Sequence, residues 1–197
     1  MSQELSARQK EIIDQSTVLI AENGIQNLTI KNLAKKMGFS EPAIYRHFSG
    51  KNEILLAIIG LFSEKSNQGM LAQKMKSGTF FENLKLLFLK HTQLFAVHPT
   101  YATVIFSEEL FRNDSVLMAE IQKVMEGNSQ RIEGLINSAK EQGELGQDIG
   151  SKSLAIIIMG SIRLVVKKWV LSGFRSDLDA DVVLLYKTLL KLVKGDK

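Results

Sequence analysis

Thr29-Ile-Lys-Asn-Leu-Ala-Lys-Lys-Met-Gly-Phe-Ser40, continued by Glu41-Pro-Ala-Ile-Tyr-Arg-His-Phe48, is the stretch whose reading decides the fold. Thr29 is a helix N-cap residue. Ile30, Leu33, Ala34 and Met37 then follow at i, i+3, i+4 and i+7, one apolar stripe over two turns. Gly38 stands where a left-handed C-cap is needed. Ser40 is a second N-cap, Glu41 suits the positive end of a helix dipole, and Pro42 is tolerated in a first turn. Ile44 and Phe48 lie four apart and face inward, so Glu41, Ala43, Tyr45, Arg46 and His47 cover the remaining surface. Ser49-Gly50 breaks the helix and Lys51 starts the next. The spacing predicts two short helices joined at Gly38-Phe39-Ser40, the helix-turn-helix plan.

Working outward, the periodicity stays helical. Ser6 with Gln9 forms a capping-box pattern, and the helix it opens runs through Ile12, Ile13, Leu19 and Ile20 to Gly24. Beyond Lys51 the pattern predicts longer helices from Lys51 through Phe62, from Phe80 to Ala96, from Tyr101 to Phe111 and from Ser115 to about Gln142. Two more run from Ser151 to Ser172 and from about Asp179 to Lys194. No run of strict alternation bounded by turn residues is found, so the fold class is all-α. The expected division is 1–51 for the helix-turn-helix domain and 52–197 for a larger helical bundle.

Composition narrows the function. The 197 residues are 45% hydrophobic with two prolines, which excludes a disordered chain, and the absence of cysteine excludes a disulfide framework, a thiolate metal site and a cysteine nucleophile. Met1 to Lys10 is polar and mixed in charge, unlike a secretory signal. The most apolar stretch, Leu154 to Leu171, carries Arg163, Lys167 and Lys168, so no uninterrupted run reaches the ~20 residues a bilayer needs. A cytoplasmic location is expected, with no membrane partner. The net charge of +4 permits an anionic partner without demanding one, and residues 1–51 hold seven bases against five acids.

An enzyme is not expected. His47, His91 and His98 lack paired-ligand spacing, Glu108 and Glu109 are adjacent and so about 100° apart on a helix, and no glycine-rich loop follows a strand. Neither metal nor cofactor is expected. A helix-turn-helix projects its second helix into a major groove about 12 Å wide. The same geometry also occurs inside ordinary bundles, so the pattern leaves two classes open: a DNA-binding regulator, or a helical-bundle ligand carrier or interaction protein without DNA binding.

The run from Thr29 through Ala43-Ile-Tyr-Arg-His-Phe48 and Lys51 to Leu55 resembles the DNA-binding signature of the tetracycline-repressor (TetR) family, with the close match covering about residues 10–60. The resemblance implies a ligand-responsive transcriptional regulator, a repressor before an activator, bound to a double-stranded DNA operator. Thr29 and Ser40 would offer hydroxyls and amides to phosphates, and Lys31 could reach another. Tyr45 and His47 match positions that touch the DNA backbone, and Lys51 adds an ammonium at a helix start. Base reading would fall to Glu41, Pro42, Ala43 and Arg46, with Arg46 donating to guanine and Glu41 accepting from cytosine. Tyr45 read as a half-buried supporting ring, and Arg46 as a solvated charge, remain open alternatives.

Leu154 to Val166 is apolar on all sides of its helix, which predicts burial on all sides, against its own domain and against a second copy. The resemblance implies that the last two helices of each subunit form a four-helix dimer interface. Ile157, Leu164, Leu185 and Leu189 are the candidates there, with Gly160 and Ser161 allowing close approach; a fully intramolecular core is the alternative. The family further implies a small-molecule effector pocket among the central helices. Bulky apolar groups near polar ones make Phe62, Phe88, His91, Phe95, Tyr101, Phe106, Met159, Arg163 and Trp169 its candidates, for a lipophilic effector. A buried Arg163 would need an anion, either from the effector or from Glu108, Glu109 or an interface acid.

Overall fold

The computed structural model describes residues 5–71, 78–107 and 114–194. Within them the regular elements are helices: α1 (Ala7–Asn23), α2 (Ile30–Met37), α3 (Glu41–Tyr45), α4 (Lys51–Leu71), α5 (Phe80–Val97), α6 (Pro99–Ile105), α7 (Ser115–Glu141), α8 (Ser151–Leu171) and α9 (Leu178–Lys194), with a 3-10 turn at Ile25–Asn27. The all-α class read from the periodicity is the observed one.

Local chemistry sets these boundaries. Ser6 and Gln9 form the expected capping box on α1, and Thr79 with Glu82 repeats the device on α5. Gly38 ends α2 in the left-handed region at φ 67°, and the following N–H of Phe39 donates back to the Ala34 carbonyl at 2.9 Å. Pro99 accounts for one difference. The helix expected from Tyr101 begins two residues earlier, because proline fits a first turn where its missing N–H has no partner to lose. That helix is described only to Ile105, and 108–111 of the expected stretch to Phe111 lie outside the described residues.

The chain divides into two compact units. One gathers Met1–Phe62 with Pro99–Glu120, the other Ser63–His98 with Ile121–Lys197. In the first, Ile12, Ile13, Ile20, Leu33, Ile44, Phe48, Ile54 and Ile58 are buried to 2% exposure or less. Burying each such side chain contributes about 1.5–3 kcal/mol. The Thr100 hydroxyl donates to the Thr17 carbonyl at 3.1 Å, joining α6 to α1. In the second unit α9 packs on α5 and α8, and Tyr186 donates its hydroxyl to the Phe81 carbonyl at 3.0 Å. The Phe80 N–H donates to the Glu144 carboxylate at 2.7 Å. Among the described residues no helix is long and apolar enough to cross a membrane.

Candidate nucleic-acid interface

The candidate DNA-contact residues all lie in the first unit. α3 is five residues long, with Ile44 and Phe48 buried beneath it. Glu41, Pro42, Tyr45 and Arg46 are exposed, while Ala43 and His47 are partly so. Tyr45 is 51% exposed, so about half of the side chain is open to solvent and half is covered. Around them stand Thr29, Lys31, Ser40 and Lys51, all exposed.

The two cap hydroxyls differ in availability. Thr29 Oγ1 accepts from the Asn32 N–H at 3.1 Å, which leaves its proton free to donate outward. Ser40 makes no side-chain cap bond, while in the first turn of α3 Pro42 has no N–H and the Ala43 N–H donates to the Ser40 carbonyl at 2.9 Å. Lys36 pairs with Glu22 at 2.7 Å. At the start of α4, Glu53 accepts from the Ser49 N–H at 2.5 Å.

Sequence reasoning passed over Arg8 and Gln9. Gln9 was read only as a capping-box partner, yet its Nε2 also donates to the His47 carbonyl at 3.3 Å. Nothing in the local spacing signals a bond across 38 residues.

The effector candidates scatter. Phe62 and Tyr101 meet edge-on at 5.8 Å in the first unit, which also holds the partly buried Phe106. In the second unit, Phe88 meets Tyr186, and Trp169 meets Phe174 at 4.8 Å. His91 meets Phe95 edge-on at 5.0 Å, and burial holds its imidazole down at about 4. Met159 and Arg163 are partly exposed rather than buried, and Arg163 Nη1 lies 3.9 Å from the Met125 sulfur. Glu108 and Glu109, its expected partners, lie outside the described residues.

A groove of about 230 Å³ opens in this unit between α4 and α5, lined by Lys65, Ser66, Leu87, Lys90, His91, Gln93, Leu94, Val97 and His98. Of the nine candidates only His91 reaches it. Lys65 Nζ stands 3.0 Å from His98 Nε2 on its rim. The lysines escaped the sequence reading because each sits on the polar side of its own helix and only packing brings them to one rim.

α8 is buried on one side alone. Leu154, Ala155, Ile158, Ile162, Val166 and Trp169 face the core. Ile156, Ile157 and Leu164 stand 52–67% exposed, and Gly160 lies beside them on the surface. Ser161 is partly buried and donates to the Ile157 carbonyl at 2.6 Å. On α9, Leu184 and Leu192 are exposed, Leu185 is partly buried, and Leu189 is inside its own core at 4% exposure. Leu189 therefore faces inward, not toward a second copy.

Residues 12–58 match the bacterial regulatory proteins of the tetR family, and residues 57–192 match the C-terminal region of YsiA-like proteins. The chain is 29% identical over 190 residues to the fatty acid metabolism regulator protein of Bacillus subtilis (strain 168), covering 94% of this chain and 93% of that one. The fold is similar to that of the fatty acid degradation regulator FadR from Bacillus halodurans, with a TM-score of 0.81 at 27% identity over 95% of this chain and 97% of that one. It is also similar to FadR from Bacillus subtilis in complex with stearoyl-CoA, with a TM-score of 0.77 at 28% identity over 98% and 100% of the two chains.

Proposed function

From the premise that this chain belongs to the TetR family of bacterial regulatory proteins, and so is a ligand-responsive DNA-binding regulator, we propose a cytoplasmic homodimeric repressor that a fatty acyl coenzyme A thioester releases from a palindromic operator. The observation that carries the reading is the two-sided α3: Ile44 and Phe48 buried, Tyr45 and Arg46 exposed. In this reading Tyr45, His47, Thr29, Ser40, Lys31 and Lys51 hold phosphates, and Glu41, Pro42, Ala43 and Arg46 face base edges.

The exposed apolar stripe of Ile156, Ile157, Gly160 and Leu164 on α8, with Leu184 and Leu192 on α9, supports a second copy as its cover. A two-fold dimer would present its recognition helices to half-sites about 34–36 Å apart. For the effector, the relative's stearoyl-CoA and the groove of this chain, lined by both lysines and apolar side chains, support one amphiphile chemistry. Lys65, Lys90 and His98 suit phosphate oxygens, while Leu87, Leu94 and Val97 suit methylenes. The groove is smaller than the ~300–1,000 Å³ of ordinary ligand pockets, so it receives one end of such a molecule. α4 is one unbroken helix from Lys51 to Leu71, so displacement of its far end turns its first turn. The thioester must bind the two arrangements unequally to release DNA.

Selection of bound fragments from random and genomic DNA across a salt series, repeated with stearoyl-CoA, free coenzyme A or stearate, tests both halves. A palindromic site lost at high salt and released by the thioester alone is expected. Failure of the folded protein to enrich any site overturns the operator reading. Failure of the thioester to release an enriched site overturns the effector reading.

A further inference from the structure

Two consecutive residues of α1 reach the two ends of α3. The Arg8 guanidinium lies 5.0 Å from the ring centroid of Phe39, in the turn that leads into α3. The Gln9 Nε2 donates to the carbonyl of His47, just past the end of α3, at 3.3 Å in a part-buried setting. Gln9 is itself anchored. Its Oε1 accepts from the Ser6 N–H at 3.0 Å, and its own N–H donates to Ser6 Oγ at 3.2 Å. Both ends of one carboxamide are thus engaged, one within α1 and one 38 residues away.

A five-residue helix does not hold itself in water, so its pose is set from outside. Ile44 and Phe48 set its depth, but burial of apolar surface is non-directional and leaves roll about the helix axis weakly defined. A hydrogen bond is directional, and one placed just past a helix end resists that roll. A roll of about 15° at a radius of about 5–6 Å moves a side-chain tip by about 1.5 Å. That displacement breaks two-point contact with a base edge, whereas long lysine stems absorb it at a phosphate.

We propose that Gln9 is a positioning residue for sequence reading: the α1 cap fixes its carboxamide, and the carboxamide fixes the roll of α3, with Arg8 holding the entry at Phe39. This rests on the reading of α3 as the element that faces DNA bases.

Two variants separate the halves of the carboxamide. Gln9→Glu keeps the acceptor for the Ser6 N–H and loses the donor to His47. Gln9→Lys keeps a donor for His47 and loses the acceptor. The readouts are the affinity ratio of the selected operator to random DNA, the salt slope, and the thermal midpoint of the full chain. Gln9→Glu is expected to lower the ratio about three- to tenfold with unchanged salt slope and a midpoint lowered less than in Gln9→Lys. Gln9→Lys is expected to keep the ratio and lower the midpoint. A merely structural role reverses this order, and a wild-type ratio in Gln9→Glu overturns the proposal. Glu41→Ala and Arg46→Ala, at the two base-facing charges, serve as references. If they lose selectivity and Gln9→Glu does not, only the tether fails; if they too retain it, α3 is not the reader and the proposal falls with that reading.

Discussion

The carboxamide of Asn52, the second residue of α4, donates to the carboxylate of Asp114, the residue that precedes α7. The other carboxylate oxygen of Asp114 accepts from the N–H groups of Val116 at 3.0 Å and Leu117 at 2.9 Å. One side chain therefore caps α7 and holds the turn of α4 that starts at Lys51. These are separable jobs, because each uses its own oxygen.

Removing the cap and removing the tether should accordingly differ in cost. Asp114→Ala loses both and is expected to cost about 1–2 kcal/mol, the usual range for an N-cap. Asn52→Ala loses only an exposed hydrogen bond, about 0.5–1 kcal/mol. Denaturant midpoints of the two single variants and the double variant form a cycle. A coupling of about 0.5–1 kcal/mol is expected, and strictly additive losses would show that the two side chains do not interact in solution.

Gly38 gives a cleaner backbone test. Its φ of 67° is left-handed, and no atom lies within 4 Å of an added Cβ. Gly38→Ala should thus cost about 1–2 kcal/mol from conformation alone. Gly38→Asn should cost less, since asparagine visits that region more readily. Equal losses in the two variants would mean that the turn between α2 and α3 rearranges instead of accepting the strain.

Neighbours on α3 should separate folding from function. Ile44 is fully buried and Tyr45 is 51% exposed. Ile44→Ala is expected to destabilise the fold by about 2–5 kcal/mol. Tyr45→Ala should change stability by no more than about 0.5 kcal/mol. Tyr45→Ala should nevertheless weaken operator binding at least about tenfold, the scale of one lost hydrogen bond to a charged phosphate. Tyr45→Phe isolates the hydroxyl. Wild-type operator affinity in Tyr45→Ala would remove this residue from the interface.

What was legible in the sequence follows from how local each determinant is. The caps Ser6, Thr29 and Gly38, and the inward pair Ile44 and Phe48, are fixed within one or two turns, so spacing alone locates them. α8 shows the limit of that reasoning. Its composition is apolar on all sides, and only the packing of α5 and α9 determines that Ile158 and Ile162 turn inward while Ile157 and Leu164 do not. Leu189 illustrates the same point from the other helix: two leucines four residues apart, Leu185 and Leu189, differ in burial by a small rotation of α9. The groove was illegible for a related reason, since Lys65 and Lys90 come together across two helices. Gln9 to His47 is a tertiary bond with no local signature at all.

His91 should make stability depend on pH in a defined window. Burial lowers its pKa from 6.5 to about 4. Between those values the unfolded chain binds a proton that the folded chain refuses, so stability rises with pH across the window and is lost as pH falls through it. The full effect is at most about 3 kcal/mol, less where the groove admits water to the ring. His91→Gln should flatten the unfolding midpoint between pH 6.5 and pH 4 relative to wild type. Parallel profiles for the two proteins would show that the imidazole is solvated in the folded state.

The exposed stripe on α8 allows the proposed dimer to be tested without disturbing the protomer. Leu164 is 60% exposed and Leu189 is 4% exposed, so a polar substitution acts on different equilibria at the two sites. Leu164→Glu leaves the protomer core intact and should change its folding midpoint little. In a dimer sealed by this stripe, the same carboxylate would be buried without a partner, a cost of several kcal/mol per subunit. Sedimentation should then find a folded monomer, and operator affinity should collapse toward that of a single half-site, because two linked half-sites bind far more tightly than either alone. Leu189→Ala should do the reverse, lowering folding stability by about 2–5 kcal/mol while the molecules that remain folded still associate. A Leu164→Glu protein that sediments as wild type would move the subunit contact off this face. A Leu164→Glu monomer that still binds the full palindrome at wild-type affinity would instead show that the recognition unit needs no partner.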